Sequence, residues 1–138
     1  MDDRHAGNVV LLRVACVSLL IALVLAWCLS LSLGLRLPFL LEIFKDTDRL
    51  LSAHLDFLMM TMLLLGFYHL KIPFPPAARW GMAIGSITNP TVFLIQAMSP
   101  TLASPLFLVF IYTSITVTTV GYALAAIISL RSTLRRAA

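Results

Sequence analysis

The stretch VACVSLLIALVLAWCLSLSLGL, residues 14–35, decides the fold of this chain. It carries no charge and exceeds the roughly 20 apolar residues that a transmembrane helix needs. Backbone polar groups cannot stay unpaired in hydrocarbon, and continuous apolarity without alternation indicates a helix rather than a barrel strand. The run is also longer than the apolar core of a signal peptide, about 7–15 residues, so we predict a permanent first span.

Three further apolar runs, residues 50–70, 80–98 and 105–130, extend the same pattern. The chain has 138 residues, of which 60% are hydrophobic and 12% charged, and its mean hydropathy is +0.98. Soluble domains carry about 25% charged residues, so lipid is the expected solvent. We therefore predict one transmembrane domain over residues 1–138, an all-α four-helix bundle without an extramembrane domain.

The Lys and Arg residues outside the spans predict the orientation. One side would carry Arg4, Arg13, Lys71, Arg79, Arg131, Arg135 and Arg136, and the other Arg36, Lys45 and Arg49. This excess places both termini in the cytoplasm, and we expect a bacterial inner-membrane protein. The basic residues flank apolar runs instead of forming a patch with aromatics, so no nucleic-acid partner is expected. Residues 37–44 are apolar enough to lie along the outer interface.

Soluble-enzyme chemistry finds no support in the sequence. No HExxH, CxxC, P-loop or GxGxxG motif occurs. The two cysteines, Cys16 and Cys28, lie within the first span and are predicted to be buried thiols rather than a disulfide or a metal site. Any chemistry must therefore come from polar groups among the helices.

The first such group is Ser52-Ala53-His54-Leu55-Asp56, predicted at the outer end of the second span. Ionisable residues inside spans usually face the bundle interior and mark function. His54 fits a haem or zinc ligand or a proton carrier, and equally a histidine that is hydrogen-bonded near the interface. His54 and Asp56 point about 200° apart on a helix, so Asp56 is not expected to orient His54 within one chain.

Spans three and four contain the remaining polar groups. Asn89 and Pro90 fall in the middle of span three, with Gln96 on roughly the same face; these side chains could bond neighbouring helices or face a substrate. Span four contains Tyr112, Thr113, Ser114, Thr116, Thr118 and Thr119, followed by Gly121 and Tyr122. We expect most of these hydroxyls to serve helix packing.

Two motifs resemble the family of hydroxylaminobenzene mutase and styrene oxide isomerase, small proteins with four spans. Residues 50–56, with the Met- and Leu-rich run to Tyr68, are similar to the start of the mutase's second span. Gly85 and Asn89 resemble its Gly-x-x-x-Asn pattern in span three. The resemblance covers residues 50–98 by motif and the whole chain by topology.

This resemblance implies a homotrimer that binds haem b between subunits, with His54 as axial iron ligand and Asn89 as a substrate-orienting donor. In the isomerase, ferric iron acts as a Lewis acid on the epoxide oxygen. The chain departs from that enzyme at two positions, because the tyrosine position falls on Phe93 and a carboxylate position falls on Gly85.

The leading functional hypothesis is therefore a haem-dependent membrane isomerase or mutase that acts on a small, apolar, aromatic hydroxylamine or epoxide. The alternatives are a non-catalytic haem-binding or structural protein of the same fold, and a small transporter subunit. We also expect a homo-oligomer, because Gly121, Ala123, Ala125 and Ala126 offer a close-packing face.

Overall fold

The computed structural model describes residues 8–137, with side chains to Leu134, and this part is all-helical without a strand. The helices are α1 (Val9–Leu33), α2 (Pro38–Ile43), α3 (Thr47–His69), α4 (Pro76–Met98) and α5 (Pro105–Ala137). The prediction of an all-α chain is confirmed, with the long helices at the four predicted apolar runs. Arg4 and His5, and the side chains of Arg135 and Arg136, lie outside the described residues.

Local signals set where the helices begin and end. Pro38, Pro76 and Pro105 occupy first positions of helices, where a missing N–H costs nothing. The carboxylate of Asp46 accepts from the backbone N–H groups of Asp48 and Arg49, at 3.1 and 3.0 Å. This cap starts α3 before Leu50, the first residue of the predicted second span.

Three of these helices are long and apolar enough to cross a membrane: α1, α3 and α5 from Pro105 to Leu134. The predicted third span corresponds to α4, which does not meet the same measure because Arg79, Asn89, Gln96 and several hydroxyl side chains lower its hydropathy. The composition thus indicates a membrane protein. The polar side chains of α4 need hydrogen-bond partners on the neighbouring helices.

The main helix pair is α1 with α3. The buried residues of α1 follow alternating steps of four and three residues: Leu11, Ala15, Ser18, Ala22, Leu25, Leu29 and Ser32. Those of α3 include the same kind of series: Leu50, Ala53, Phe57, Met60 and Leu64. This spacing is that of a left-handed pair with knobs-into-holes packing, and we call it the seam.

Small residues of the seam bring α3 side chains against the α1 backbone. The hydroxyl of Thr61 lies 3.5 Å from the Ala15 carbonyl oxygen, and the Nδ1 atom of His54 lies 2.9 Å from that of Ala22. Ser18 lies between these two alanines and is fully buried, with a hydroxyl that has no partner in the described structure. Its small size, rather than its hydroxyl, therefore suits the seam.

The cysteines contradict the prediction of buried thiols. Cys16 is exposed on the surface of α1 and Cys28 is half-buried. Both lie off the seam, so they face away from α3 or along its edge. An apolar helix gives no sequence signal for which of its faces meets a neighbour, and for this reason the prediction failed.

Glycines bring α4 and α5 together. A Cβ atom on Gly121 would lie 2.5 Å from the backbone nitrogen of Met82, and one on Gly81 would lie 2.8 Å from the Gly121 Cα. Gly121 and Ala125 are thus buried within the protomer, whereas Ala123 and Ala126 are exposed. Their proximity in sequence predicted one close-packing face for a second subunit, but the four residues do not lie on one free face.

At each end of the molecule, a hydrogen bond connects a helix terminus to a neighbouring segment. The side-chain amide of Asn8 donates to the Ile72 carbonyl at 2.7 Å, which joins the start of α1 to the α3–α4 link. At the other end, the Asp46 N–H donates to the Ala97 carbonyl at 3.1 Å, so that α3 begins where α4 ends. The helices α1 and α4 therefore run in one direction, and α3 runs in the opposite one.

We expect Ser18→Leu to lower the free energy of unfolding by about 1–3 kcal/mol, because a larger side chain in a close-packed seam forces the helices apart. Ser18→Ala should leave stability unchanged or raise it, since the lost hydroxyl has no partner. Thermal denaturation in detergent measures both, with Cys16→Leu on the exposed face as control. Equal effects of Ser18→Leu and Cys16→Leu would contradict the seam.

Candidate functional site

The polar residues of α3 and α4 lie deep within the helices. At 1.5 Å per residue, His54 is about 10 Å and Asp56 about 14 Å from the first residue of α3. Asn89 is about 14 Å from the last residue of α4, which is adjacent to that end of α3. The Asp46 cap adds three residues of α3 before Leu50, so His54 is the eighth of the 23 residues of this helix. The location of the site at the outer end of the span stays a prediction.

His54 turns toward α1. Its Nδ1 atom lies 2.9 Å from the Ala22 carbonyl oxygen, and the ring is half-buried. A carbonyl only accepts, so Nδ1 carries a proton, and in the neutral imidazole Nε2 then has the lone pair. No described residue hydrogen-bonds to Nε2. This is how metal-binding histidines are commonly prepared: one ring nitrogen is held by a backbone carbonyl and the other is left to bind.

Asp56 turns toward α4. The side-chain amide of Asn89 donates from Nδ2 to the Asp56 carboxylate oxygen Oδ2 at 2.8 Å. Asp56 is 7% exposed, and its other oxygen accepts no hydrogen bond from the described residues. His54 and Asp56 thus have partners on different helices, as their angular separation predicts.

Two hydroxyl pairs join α4 to α5. Ser114 donates to the Thr88 hydroxyl at 2.8 Å, and the hydroxyls of Ser86 and Tyr122 lie 2.7 Å apart. Tyr122 was predicted only as part of a packing run, and its bond to Ser86 on α4 was not predicted. The GxxxG spacing of Gly81 and Gly85, opposite this part of α5, was the available signal.

Gln96 does not join this group. Its Oε1 atom is buried and has no hydrogen-bond partner in the described structure. The shared face with Asn89 that the spacing predicts therefore does not give a continuous polar stripe.

The two positions where the sequence departs from the isomerase have structural explanations. Phe93 packs against the hydrophobic cluster that includes Ala22, Ala53 and Phe57. A Cβ atom on Gly85 would lie 2.5 Å from the Thr118 hydroxyl oxygen and 2.7 Å from the Thr118 Cα. The close approach of α5 thus leaves no room for a carboxylate side chain at position 85.

The described chain offers one apolar cleft beside this group. A groove of about 290 Å³ opens between α1 and α4 and is lined by Val14, Trp80, Ala83, Ile84, Ile87 and Thr88. A cavity of about 150 Å³ already holds benzene, so a small aromatic ring fits here. Thr88 is the one hydroxyl-bearing residue in its wall.

Within residues 8–137, no group of three or more His, Cys, Asp or Glu side chains is placed to hold a bare metal ion. A haem iron differs because the porphyrin supplies four ligands and the protein needs to supply only one or two. His54 and His69 both have Nδ1 on a backbone carbonyl, but only His54 is half-buried and bonded to a neighbouring helix.

Comparisons with known proteins give no relative. No protein-family model, curated protein or solved structure matches the chain. The assignment of a function therefore depends on the geometry of the site and on the two sequence motifs.

We expect Gly85→Asp to prevent stable folding, because its Cβ would occupy the position of Thr118. The double variant Gly85→Asp with Thr118→Gly should remain destabilised, since the Thr118 Cα would still lie 2.7 Å from the new Cβ. The yield of monodisperse protein and its thermal denaturation measure both. Full folding of Gly85→Asp alone would mean that α5 does not lie against α4 at this position.

Proposed function

We propose that this protein is a membrane-embedded, haem-dependent isomerase or mutase that rearranges a small, apolar, aromatic hydroxylamine or epoxide. The observation that carries the proposal is the His54 side chain, with Nδ1 bound to the Ala22 carbonyl and Nε2 left without a partner. The type of reaction is inferred from the resemblance of two motifs, residues 50–56 and the Gly85–Asn89 pair, to the mutase and isomerase family.

In this proposal the protein spans the membrane with four helices, and α4 is one of them. This helix has 23 residues, about 34 Å in length, and thus matches a hydrocarbon core of about 30 Å. Its polar side chains Ser86, Thr88 and Asn89 bond to α5 and α3, so they need not meet lipid. Trp27 and Trp80 are exposed near opposite ends of the helices, where aromatic residues meet the two interfaces.

Both termini lie in the cytoplasm of a bacterial inner-membrane protein in this proposal. The excess of Lys and Arg at the end that holds the start of α1 and the α3–α4 link supports this orientation. The short helix α2, with Leu40 buried and Phe39 exposed, then lies along the outer interface.

The residues around His54 would hold a haem b by its iron. When bound, this group supplies a Lewis acid that polarises a substrate oxygen or nitrogen without redox change. His54 is fixed in direction by Ala22, and the apolar surfaces of α1 and α3 exclude water. Asn89 orients the substrate through the part of its amide that Asp56 does not occupy. The groove between α1 and α4 admits an apolar ring from the bilayer.

The protein acts as a homo-oligomer in this proposal, and the resemblance implies a trimer with haem between subunits. Large apolar side chains are exposed on every long helix, among them Leu20, Met62, Trp80 and Leu106. The face of α3 with Met62 and Gly66 also leaves a shallow groove of about 300 Å³. Such surfaces suit either lipid or neighbouring subunits.

A non-catalytic haem-binding or structural protein of the same fold is the second candidate. It is favoured by Phe93, which lacks a hydroxyl, and by Gly85, where no carboxylate fits. A small transporter subunit is disfavoured because Asp56 and Asn89 bond to each other across a helix interface instead of lining an open path.

The first prediction from this proposal concerns the absorption spectrum. Protein expressed with a haem supply and purified in detergent should have a Soret band, which His54→Ala should abolish because the axial ligand is lost. His69→Ala is the matched control, since His69 is exposed and bonds only to the Leu65 carbonyl of its own helix. Its band should equal that of the native protein.

Turnover then separates the first two candidates. Haem-loaded protein should convert an arylhydroxylamine or an aryl epoxide, and the His54→Ala variant should not. A native protein without a Soret band would refute the haem mechanism, and a band without conversion of either compound class would favour the non-catalytic protein.

The second prediction concerns topology and uses a background without Cys16 and Cys28. A membrane-impermeant maleimide added to intact cells should label Ala103→Cys and not Ala77→Cys. Both residues are exposed; Ala77 lies in the first turn of α4 and Ala103 follows its last residue. Both should react after permeabilisation. Labelling of both from one side would mean that α4 does not cross the membrane, and the reversed pattern would invert the orientation.

A further inference from the structure

The Asp56–Asn89 pair differs from the other side-chain bridges described between the long helices. Those bridges use hydroxyl groups, an imidazole or backbone carbonyls, as in Ser114 with Thr88 and His54 with Ala22. The Asp56–Asn89 bridge uses a carboxyl group, which is the most costly of these groups to place in hydrocarbon. A bridge needed only to join α3 and α4 could be built from a hydroxyl, as α4 and α5 are joined.

An ionised carboxyl group does one thing that a hydroxyl does not: both of its oxygens accept and neither donates, so only the N–H end of an amide can bond to it. An asparagine beside a hydroxyl can turn either end of its amide toward it, because a hydroxyl both donates and accepts. Beside Asp56, the Asn89 amide is held with Nδ2 toward α3, at 2.8 Å from Oδ2. Its carbonyl oxygen and second N–H are then directed elsewhere.

His54 and Asp56 are two residues apart on α3, and each contacts a different neighbouring helix. The same helical turn therefore fixes the imidazole against α1 and the amide of Asn89 on α4. A change at Asp56 would alter the direction of Asn89 without touching the His54 bond to Ala22.

We propose that Asp56 is a positioning residue: its carboxyl group holds the Asn89 amide in one orientation and thereby sets how Asn89 meets the substrate. The second half of this inference rests on the proposed function. The first half, the fixed amide, does not depend on haem or on turnover.

Amide NMR tests the first half, because the chain has only two asparagines, Asn8 and Asn89. Protein labelled with ¹⁵N at asparagine should give two side-chain amide pairs, each with a hydrogen-bonded proton that exchanges slowly. Asp56→Ala should move the Asn89 pair to the position of a free amide and speed its exchange. The Asn8 pair, bonded to Ile72, should stay unchanged and so report an intact fold in the same spectrum.

Ser114→Ala is the matched control, since it removes a bridge of α4 to α5 and leaves Asn89 untouched. Its Asn89 pair should match that of the native protein. An Asn89 pair that does not change in Asp56→Ala would overturn the proposal, as would an equal change in Ser114→Ala.

Kinetics test the second half on the haem-loaded protein. Misplacement of a substrate-orienting group by about 1 Å can lower turnover roughly 100-fold, so kcat of Asp56→Ala should fall by at least about tenfold. Ser114→Ala should change kcat less than about twofold, and Asp56→Asn, whose amide oxygen can accept the same N–H, should retain more activity than Asp56→Ala. The Soret band should be equal in all of them.

Equal kcat values for Asp56→Ala and Ser114→Ala, with turnover and a Soret band in the native protein, would overturn the positioning role. A native protein without the band refutes the proposed function instead, and the spectrum read before the kinetics tells the two failures apart.

Discussion

Hydrocarbon offers no hydrogen-bond partner, so a polar side chain on a long helix is stabilised by a partner on a neighbouring helix or on its own backbone. Three bridges between helices supply such partners: His54 to Ala22, Asn89 to Asp56, and Ser114 to Thr88. Ser18 and Gln96 each keep a buried polar atom without a partner among the described residues. Apolar contacts alone would set the rotation of these helices weakly, because lipid tails are as apolar as leucine. The bridges fix which face of each helix meets the next.

These bonds need close backbones, and small residues supply the space. The Ala22 carbonyl can be reached by an imidazole from α3 because its own side chain is one methyl group. On the other side of the molecule, Gly81 and Gly121 bring α4 and α5 near enough for hydroxyls to pair. Close approach and polar pairing thus support each other, and the cost of a larger side chain at these positions includes the bond that it breaks.

Hydropathy alone predicts the helices, because a run such as residues 14–35 can satisfy its backbone in hydrocarbon only by bonding to itself. The proline starts and the opposed directions of His54 and Asp56 also follow from local geometry. The exact start of α3 depends on the Asp46 cap, a signal that lies outside the apolar run. The pairing of Asp56 with Asn89 could not be predicted without knowing how α3 packs on α4.

The rotation of each helix about its axis is what the sequence does not predict. In α1 nearly every residue is apolar, so the seam through Ala15, Ser18 and Ala22 has no contrast against the lipid-facing side. For this reason Cys16 was wrongly predicted to be buried. Gly85 is a similar case, because the motif predicts a glycine there but not that α5 packs against it. Information about rotation lies in the spacing of small residues on two helices taken together, as with Gly81 and Gly85 against Gly121.

The separation of His54 from Asp56 also bears on the kind of chemistry that the proposed site suits. A histidine whose Nδ1–H is held by a carboxylate becomes a more basic ligand than one held by a backbone carbonyl, and strong donation from the axial ligand favours oxygen–oxygen cleavage. Here the nearby carboxyl group is turned to Asn89 and the imidazole bonds to the Ala22 carbonyl. In the proposed function, His54 would be a weakly donating ligand, and such a ligand would suit Lewis-acid activation. The directions of these two side chains on one turn of α3 would then suit rearrangement without redox change better than oxidative chemistry.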